Sequence, residues 1–182
     1  PHERLERFEV TDVCLQELHR ERRAECMDVR PHAHPRRYAE LAPTRARAGE
    51  RVVVIGVRSI GTSLSAVVLA ALLRAGVVAE RVTVRPGGHP YARYLEPTPA
   101  LERLARARVD ARFLIVDEGP GLTGSTFLAV GECLERLGVP RARIELIVSH
   151  PVSPEQLLAD AGAERWRRFS WASIASTALD DA

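Results

Sequence analysis

The chain has 182 residues, of which 46% are hydrophobic, 27% are charged and only 5% are aromatic. Its 26 basic residues nearly balance its 24 acidic residues, and the net charge of +2 provides no electrostatic footprint for nucleic acid. All the basic residues are arginine, so chemistry that needs a lysine amine is excluded. The three cysteines are too few for a disulfide framework, and no apolar run approaches the about 20 residues of a membrane span. This composition predicts a cytoplasmic protein with an aliphatic core that binds neither nucleic acid nor membranes.

Composition divides the chain near residue 48. Residues 1–48 are rich in arginine and glutamate, carry four of the six histidines and have only weak helical periodicity. We therefore expect residues 1–48 to form an N-terminal extension and residues 49–182 to form the main domain. The sequence begins with Pro1 rather than methionine, which is compatible with a piece of a larger multidomain protein. The sequence is also compatible with a homodimer.

From residue 51 onward, apolar β-branched runs alternate with helical patterns. Continuous apolar runs are typical of strands buried on both faces, and apolar residues three or four apart are typical of helices. Crossovers of this length join parallel strands, so the pattern predicts an α/β fold, a Rossmann-like parallel sheet with helices on both faces. The predicted strands are Val52–Val57, Val82–Val84, Phe113–Val116 and Ile144–Val148, and the predicted helices begin after Thr62, after Pro99, near Ser125 and at Pro154, the last of them covering Pro154–Ala161.

The loop after the third predicted strand has the composition of a phosphate site. Thr123, Ser125 and Thr126 offer hydroxyl donors, and the helix that begins near Ser125 offers unpaired amides and a positive dipole end. The same residues could merely cap the helix. The preceding Asp117 and Glu118 favour a ligand, because two adjacent acids repel each other but can accept hydrogen bonds from a sugar diol.

A nucleotide-binding P-loop is a competing interpretation of the same loop. Residues 119–126 spell G-x-x-x-x-G-S-T, one residue from the pattern G-x-x-x-x-G-K-[ST]. The missing residue is the lysine that reaches the β- and γ-phosphates, and the chain has no lysine to replace it. The negative charges of Asp117 and Glu118 would also repel a triphosphate bound in this loop. An NTPase is therefore a distant alternative.

The segment Phe113–Thr126 resembles the signature of the type I phosphoribosyltransferases, which is a hydrophobic strand, two adjacent acids, a short loop and T-G-x-T opening a helix. The resemblance implies a phosphoribosyltransferase-like core with a C-terminal hood or tail in residues 49–182, and phosphoribosyl pyrophosphate or a related ribose phosphate as the ligand. It implies that the acids bind the 2- and 3-hydroxyls, and a metal only indirectly through these hydroxyls or water, while the loop holds the 5-phosphate. The chain departs from the family in its second acid, a glutamate, and in a loop one residue longer. The ribose and 5-phosphate residues would be Asp117, Glu118, Gly121, Leu122, Thr123, Gly124, Ser125 and Thr126.

Two further segments fit this resemblance. It implies that the loop after the first predicted strand binds pyrophosphate through backbone amides and an arginine fork. It also implies that the turn-rich segment 85–93, predicted to be mobile, closes over the substrate and supplies basic groups. A capped helix start and a solvated hairpin are the structural alternatives. The pyrophosphate residues would be Arg58, Ser59, Ile60, Gly61 and Thr62, and the catalytic residues would be Arg58, Arg85, His89 and Arg93.

The function implied by the resemblance is glycosyl transfer in nucleotide metabolism. Such an enzyme displaces pyrophosphate from C1 of the ribose, and Mg²⁺ and arginines neutralise the leaving group. The acceptor is not specified by the sequence; its site could involve Ser149–Pro151 or the aromatic Trp166, Phe169 and Trp171, which ordinary packing would also explain. The alternative function is a non-catalytic module of the same fold that binds or senses a phosphoribosyl ligand.

Overall fold

The computed structural model describes residues 35–175. The strands are β1 (Val52–Val57), β2 (Ala79–Val84), β3 (Gly87–His89), β4 (Ala92–Tyr94), β5 (Arg112–Val116), β6 (Ile144–Val148) and β7 (Ser170–Ser173). The α-helices are α1 (Pro35–Thr44), α2 (Ile60–Arg74), α3 (Pro99–Ala107), α4 (Ser125–Arg136) and α5 (Gly162–Arg167), and short 3₁₀ turns cover Arg141–Arg143 and Pro154–Gln156. No helix in this part of the chain is long and apolar enough to cross a membrane.

Five strands form one parallel sheet in the order β2-β1-β5-β6-β7, and β3 pairs with β4 as an antiparallel hairpin. Alternate residues of each strand point to opposite faces. On one face, Ile55 clusters with Leu101 of α3, Phe127 of α4 and residues of α5. On the other face, Val54 clusters with residues of α1 and α2. The predicted α/β fold, with a parallel sheet and helices on both faces, is confirmed.

The strand order fixes where a ligand site can form. After β1 the chain first adds β2 on one side and later adds β5 on the other, so β1 and β5 are neighbours whose crossovers run in opposite directions. In open parallel sheets, such a reversal leaves a crevice beyond the carboxyl ends of the two strands. The loops that leave β1 and β5 are residues 58–59 and 117–124, which are the two loops that the sequence singles out.

The opposite edge of the sheet holds a network of charged side chains. Glu145 is fully buried near the start of β6 and pairs with Arg45 and with Arg112 of β5, the latter at 3.5 Å. Glu50 pairs with Arg112 at 3.1 Å and with Arg143 at 3.0 Å. These ion pairs join α1, the sheet and the following turns at the amino ends of the strands, on the far side of the sheet from the candidate loops.

Helix α1 lies inside the stretch that the sequence analysis assigned to an N-terminal extension. Its Tyr38, Leu41 and Ala42 are buried in the cluster that covers Val52 and Val54 of β1. Residues 35–44 therefore pack as part of the sheet domain. Residues 1–34 lie outside the described residues, and the division at residue 48 stays a prediction.

The predicted helix over Pro154–Ala161 is wrong, because only Pro154–Gln156 form a 3₁₀ turn and the next helix begins at Gly162. The amide of Leu158 donates to the Leu122 carbonyl at 3.0 Å, and the amide of Ala159 donates to the Thr123 carbonyl at 3.3 Å. These amides are thus used to hold the loop after β5, so they are not available for helical hydrogen bonds.

Candidate functional site

The first turn of α2, which follows the loop after β1, is in direct contact with the end of β5 and with Asp117. A Cβ atom added to Gly61 would lie 2.4 Å from the carbonyl oxygen of Val116 and 3.2 Å from the Asp117 carboxylate. Gly56 of β1 allows α2 to approach β1 closely in the same way, since a Cβ atom at Gly56 would lie 2.5 Å from the Gly61 carbonyl oxygen. Only residues without a side chain fit at these two positions. The glycines therefore bring the pyrophosphate and ribose candidates of the sequence analysis to one edge of the sheet.

Asp117 and Glu118, the acid pair, are half-buried directly after β5. The Asp117 carboxylate accepts a hydrogen bond from the Glu118 amide at 2.9 Å and another from the Gly61 amide. Burial raises the pKa of Asp117 to about 6, and the neighbouring Glu118 charge adds to the rise, while the two amide hydrogen bonds oppose it. Among residues 35–175, Asp117 has no basic partner that would hold it firmly ionised, as expected of a carboxylate that binds a ligand.

Tyr38 of α1 contacts the backbone of the acid pair. Its hydroxyl donates to the carbonyl oxygen of Asp117 at 2.7 Å and lies 3.3 Å from that of Glu118, and the side chain is fully buried. Burial and the two nearby carboxylates raise the pKa of the phenol, so the hydroxyl keeps its proton and its role as donor. Sequence analysis missed this residue. The signal was present, because Tyr38, Leu41 and Ala42 have the spacing of one helical face.

Residues Thr123–Thr126, here called the cradle, form the start of α4. Gly124 caps the helix with a left-handed backbone (φ +69°), and the Ser125 amide donates to the Thr123 hydroxyl at 3.3 Å. Within the described part of the chain, the amides of Thr126 and Phe127 donate no hydrogen bond. Free amides at a helix N-terminus are suited to bind an anion. The other two residues assigned to this site, Gly121 and Leu122, are exposed in the loop before the cradle.

The segment predicted as a mobile loop is the hairpin of residues 87–94, and its tip touches the cradle. The Ser125 hydroxyl donates to the Pro90 carbonyl, and it lies 2.9 Å from the Thr123 hydroxyl. His89 is exposed and stacks on Tyr91, with ring centroids 5.5 Å apart. Arg93 is half-buried and donates to the Pro86 carbonyl at 3.4 Å, and Arg85 is exposed at the end of β2. The structure brings the hairpin to the 5-phosphate candidates, with a backbone carbonyl as the contacting group.

The first loop and the start of α2, residues 58–62, are open to solvent at their leading end. Arg58, Ser59 and Ile60 are exposed, and the peptide bond between Arg58 and Ser59 is cis. The Arg58 guanidinium reaches the Thr83 hydroxyl at 3.3 Å, which leaves it at the rim of the crevice. Thr62 lies inside the first turn of α2, where its amide donates to the Ser59 carbonyl. The exposed residues are accessible to a ligand, whereas Gly61 serves the contact with Asp117.

The acceptor candidates separate into two groups. Trp166 and Phe169 are buried in the core, where Trp166 meets Phe127 edge to face at a centroid distance of 5.7 Å. Trp171 is half-buried on β7 against the same cluster. Burial of Trp166 and Phe169 supports ordinary packing for these two residues, because their rings have no free face on which a base could stack. Trp171 stays a candidate. His150 differs from them, because it is exposed beside the loop that carries the acid pair.

Comparison with known proteins adds distant structural neighbours. No family model and no curated protein matches the chain. A hypoxanthine phosphoribosyltransferase from Trypanosoma cruzi, complexed with the product IMP, is similar over 69% of this chain and 71% of its own, with 15% identity and a TM-score of 0.46. A hypoxanthine-guanine phosphoribosyl transferase from L. donovani covers the same shares with 13% identity and a TM-score of 0.40. An ABC transporter permease from the Pseudomonas fluorescens group matches 69% of this chain and 30% of its own, with 18% identity and a TM-score of 0.44. Similarity this distant assigns no function.

Proposed function

We propose that this protein is a phosphoribosyltransferase that binds phosphoribosyl pyrophosphate or a related ribose phosphate. The observation that supports the proposal is the contact of Gly61 with Asp117, because it brings the first turn of α2, which follows Arg58, to the acid pair at one crevice. The cradle continues from the same loop and offers free amides. A ligand with an anion at each end and a diol between them complements this arrangement of donors and acceptors.

The binding roles follow from the chemistry of each group. The carboxylates of Asp117 and Glu118 accept hydrogen bonds from the ribose hydroxyls, while the amides at the start of α4 donate to the 5-phosphate. Arg58, at the rim, offers its guanidinium to the pyrophosphate. In the transfer, the bond between C1 and the pyrophosphate oxygen breaks with its electron pair on the oxygen. The acceptor's lone pair forms the new bond to C1, and the acceptor's proton passes to water.

The side chains of the site fit Mg²⁺ only when the substrate supplies most of the oxygen ligands of the ion. Within residues 35–175, no group of three or more His, Cys, Asp or Glu side chains is arranged to hold a metal ion. Two adjacent carboxylates are nevertheless what Mg²⁺ commonly uses together with substrate oxygens and water. When bound, the ion would neutralise charge on the pyrophosphate. Asp117 and Glu118 would contact it through the ribose hydroxyls or water.

The contact between Pro90 and Ser125 favours a second candidate function, a non-catalytic module that senses the same ligand. A phosphate in the cradle would compete with the Pro90 carbonyl for the Ser125 hydroxyl. Binding would then move the hairpin, and a moved hairpin is a signal that a partner can detect.

Calorimetry with phosphoribosyl pyrophosphate and MgCl₂ tests both candidates. We expect binding by the wild-type protein and a loss of about tenfold or more in the Asp117→Asn variant, since charge-assisted hydrogen bonds to the diol are weakened. Asp110→Asn is the matched control, because Asp110 is exposed just before β5, at the far edge of the sheet. Release of pyrophosphate with any of a panel of nucleobases identifies the enzyme, and binding without release identifies the sensor. No binding in wild-type protein contradicts both.

A further inference from the structure

The side chain of Arg81 on β2 contacts the first turn of α2. Its Nη1 donates to the Thr62 carbonyl at 2.9 Å and to the Ser65 hydroxyl at 3.1 Å. The Ser65 hydroxyl in turn donates to the Thr62 carbonyl at 3.0 Å, and its side chain is fully buried. Gly56 leaves the room that this hydroxyl needs, since a Cβ atom at Gly56 would lie 2.1 Å from Ser65 Oγ. The guanidinium is therefore tied to the turn that follows the candidate pyrophosphate loop.

The charge of Arg81 is not neutralised by a carboxylate of the described residues. Its partners are a carbonyl and a hydroxyl, although the side chain is half-buried. The half-buried Arg112 and Arg165, by contrast, each pair with a glutamate, at 3.1 and 2.7 Å. Arg81 also lies beside the first turn of a 15-residue helix, where the helix dipole makes a cation unfavourable. An anion bound at this turn would offset both the guanidinium and the dipole.

The sheet order separates Arg81 from the acid pair. β1 lies between β2 and β5, so Arg81 approaches α2 from one side, while Gly61 contacts Asp117 on the other. Arg58 is at the rim of the same loop, and its guanidinium also contacts β2, at the Thr83 hydroxyl. Both arginines are thus held on the β2 side of the crevice. The cradle and the acid pair follow β5 and do not contact either guanidinium.

We propose that Arg81 is a positioning residue for the pyrophosphate end of the ligand. This inference rests on the proposed function, because that function assigns pyrophosphate to residues 58–62. Arg81 acts without touching the ligand: it fixes the first turn of α2 through the Thr62 carbonyl, and its charge makes this end of the crevice more attractive to an anion. The ribose and the 5-phosphate, which are assigned to the acid pair and the cradle, do not depend on it.

Calorimetry with inorganic pyrophosphate and with ribose 5-phosphate, each in MgCl₂, tests this role. In Arg81→Gln, which removes the charge, we expect pyrophosphate to bind about fivefold or more weakly and ribose 5-phosphate to stay within about twofold of wild type. Arg81→Lys keeps the charge and should restore most of the affinity for pyrophosphate. Ser65→Ala removes one partner of the guanidinium and keeps its charge, so it should weaken pyrophosphate binding by about two- to threefold. Urea unfolding establishes that each variant is folded.

Arg74→Gln is the matched control for the charge. Arg74 is exposed in the last turn of α2, so the substitution removes the same charge from the other end of the helix and should leave both affinities as in wild type. Wild-type affinity for pyrophosphate in Arg81→Gln, or an equal loss for both probes, would overturn the inference and leave the proposed function intact. If Arg81→Gln does not fold, Ser65→Ala decides, because an unchanged affinity for pyrophosphate there overturns the inference. Failure of the wild-type protein to bind phosphoribosyl pyrophosphate would overturn both.

Discussion

Replacing Tyr38 with phenylalanine tests whether α1 positions the acid pair. The substitution removes one oxygen atom from a fully buried side chain and leaves its ring in place. The Glu118 carbonyl keeps a partner, since it also accepts the Ser149 amide at 2.8 Å. The Asp117 carbonyl loses the 2.7 Å hydrogen bond from the tyrosine hydroxyl. The principal cost of Tyr38→Phe is therefore one buried carbonyl without its partner.

This geometry sets the size of the effect. Leaving a buried acceptor without its partner costs about 1–3 kcal/mol, and partial exposure of Asp117 argues for the lower half of that range. We expect the free energy of unfolding of Tyr38→Phe to fall by about 1–2 kcal/mol. A site must be held within about 0.5 Å of its binding geometry to keep its affinity. The looser acid pair should therefore bind ribose 5-phosphate about three- to tenfold more weakly.

Urea unfolding and calorimetry with ribose 5-phosphate measure the two effects of Tyr38→Phe separately. Tyr94→Phe is the matched control, because Tyr94 is 55% exposed on β4 and its hydroxyl should contribute little to stability. If Tyr38→Phe loses stability but keeps full affinity, the tyrosine supports the fold and does not position the acids. If neither quantity changes, the hydrogen bond itself has no energetic role and the argument fails.

Three other substitutions have effects that the structure determines. Asp117→Asn should raise the free energy of unfolding at pH 7.5 by about 1–2 kcal/mol. Because the pKa of Asp117 is about 6 in the folded protein and about 4 in the unfolded chain, the wild-type protein loses stability as pH rises from about 4 to 6. Urea unfolding should find no difference in stability between the variant and the wild-type protein below pH 4. Gly61→Ala should lower the melting temperature and weaken ribose 5-phosphate binding together, because its Cβ would lie 2.4 Å from the Val116 carbonyl; unchanged binding would contradict the contact of Gly61 with Asp117. Glu145→Gln should cost about 3 kcal/mol of stability, because it removes a buried carboxylate that pairs with Arg45 and Arg112. It should leave ribose 5-phosphate affinity as in wild type, since Glu145 lies at the amino ends of the strands.

The central strands could be predicted because each of them is a short, mainly apolar run rich in β-branched residues, which is typical of a strand buried on both faces. The run Ile144–Val148 forms β6 over the same five residues, and all of them are buried. The glycines and hydroxyl residues after β5 likewise predicted a loop followed by a helix at Ser125. Parallel order then follows from the lengths of the crossovers. Local composition was thus sufficient for the buried strands β1, β5 and β6 and for the loops at the carboxyl edge of the sheet.

The elements that could not be predicted depend on contacts between distant residues. Ser170–Ser173 forms β7 at the sheet edge, although its polar composition lacks the apolar run of a buried strand. The segment at Leu158 has an apolar pattern, but its amide bonds to Leu122 and not to a helical neighbour. Tyr38 acts on Asp117, a residue 79 positions away in the chain. Such pairings have no signature in a local window of sequence.

The hydrogen bond between Ser125 and the hairpin bears on both candidate functions. The Ser125 hydroxyl has a single hydrogen to donate, and the structure uses it for the Pro90 carbonyl. A phosphate oxygen in the cradle would compete with the Pro90 carbonyl for the same hydrogen, because the hydroxyl can donate it to only one acceptor. Binding of the 5-phosphate therefore either displaces Pro90 or relies on the amides of Thr126 and Phe127 alone. Displacement frees the hairpin, with His89 and Arg93, to contact the pyrophosphate in an enzyme or a partner in a sensor. If Pro90 is displaced, occupancy of the cradle determines where the hairpin lies, whether the protein is an enzyme or a sensor.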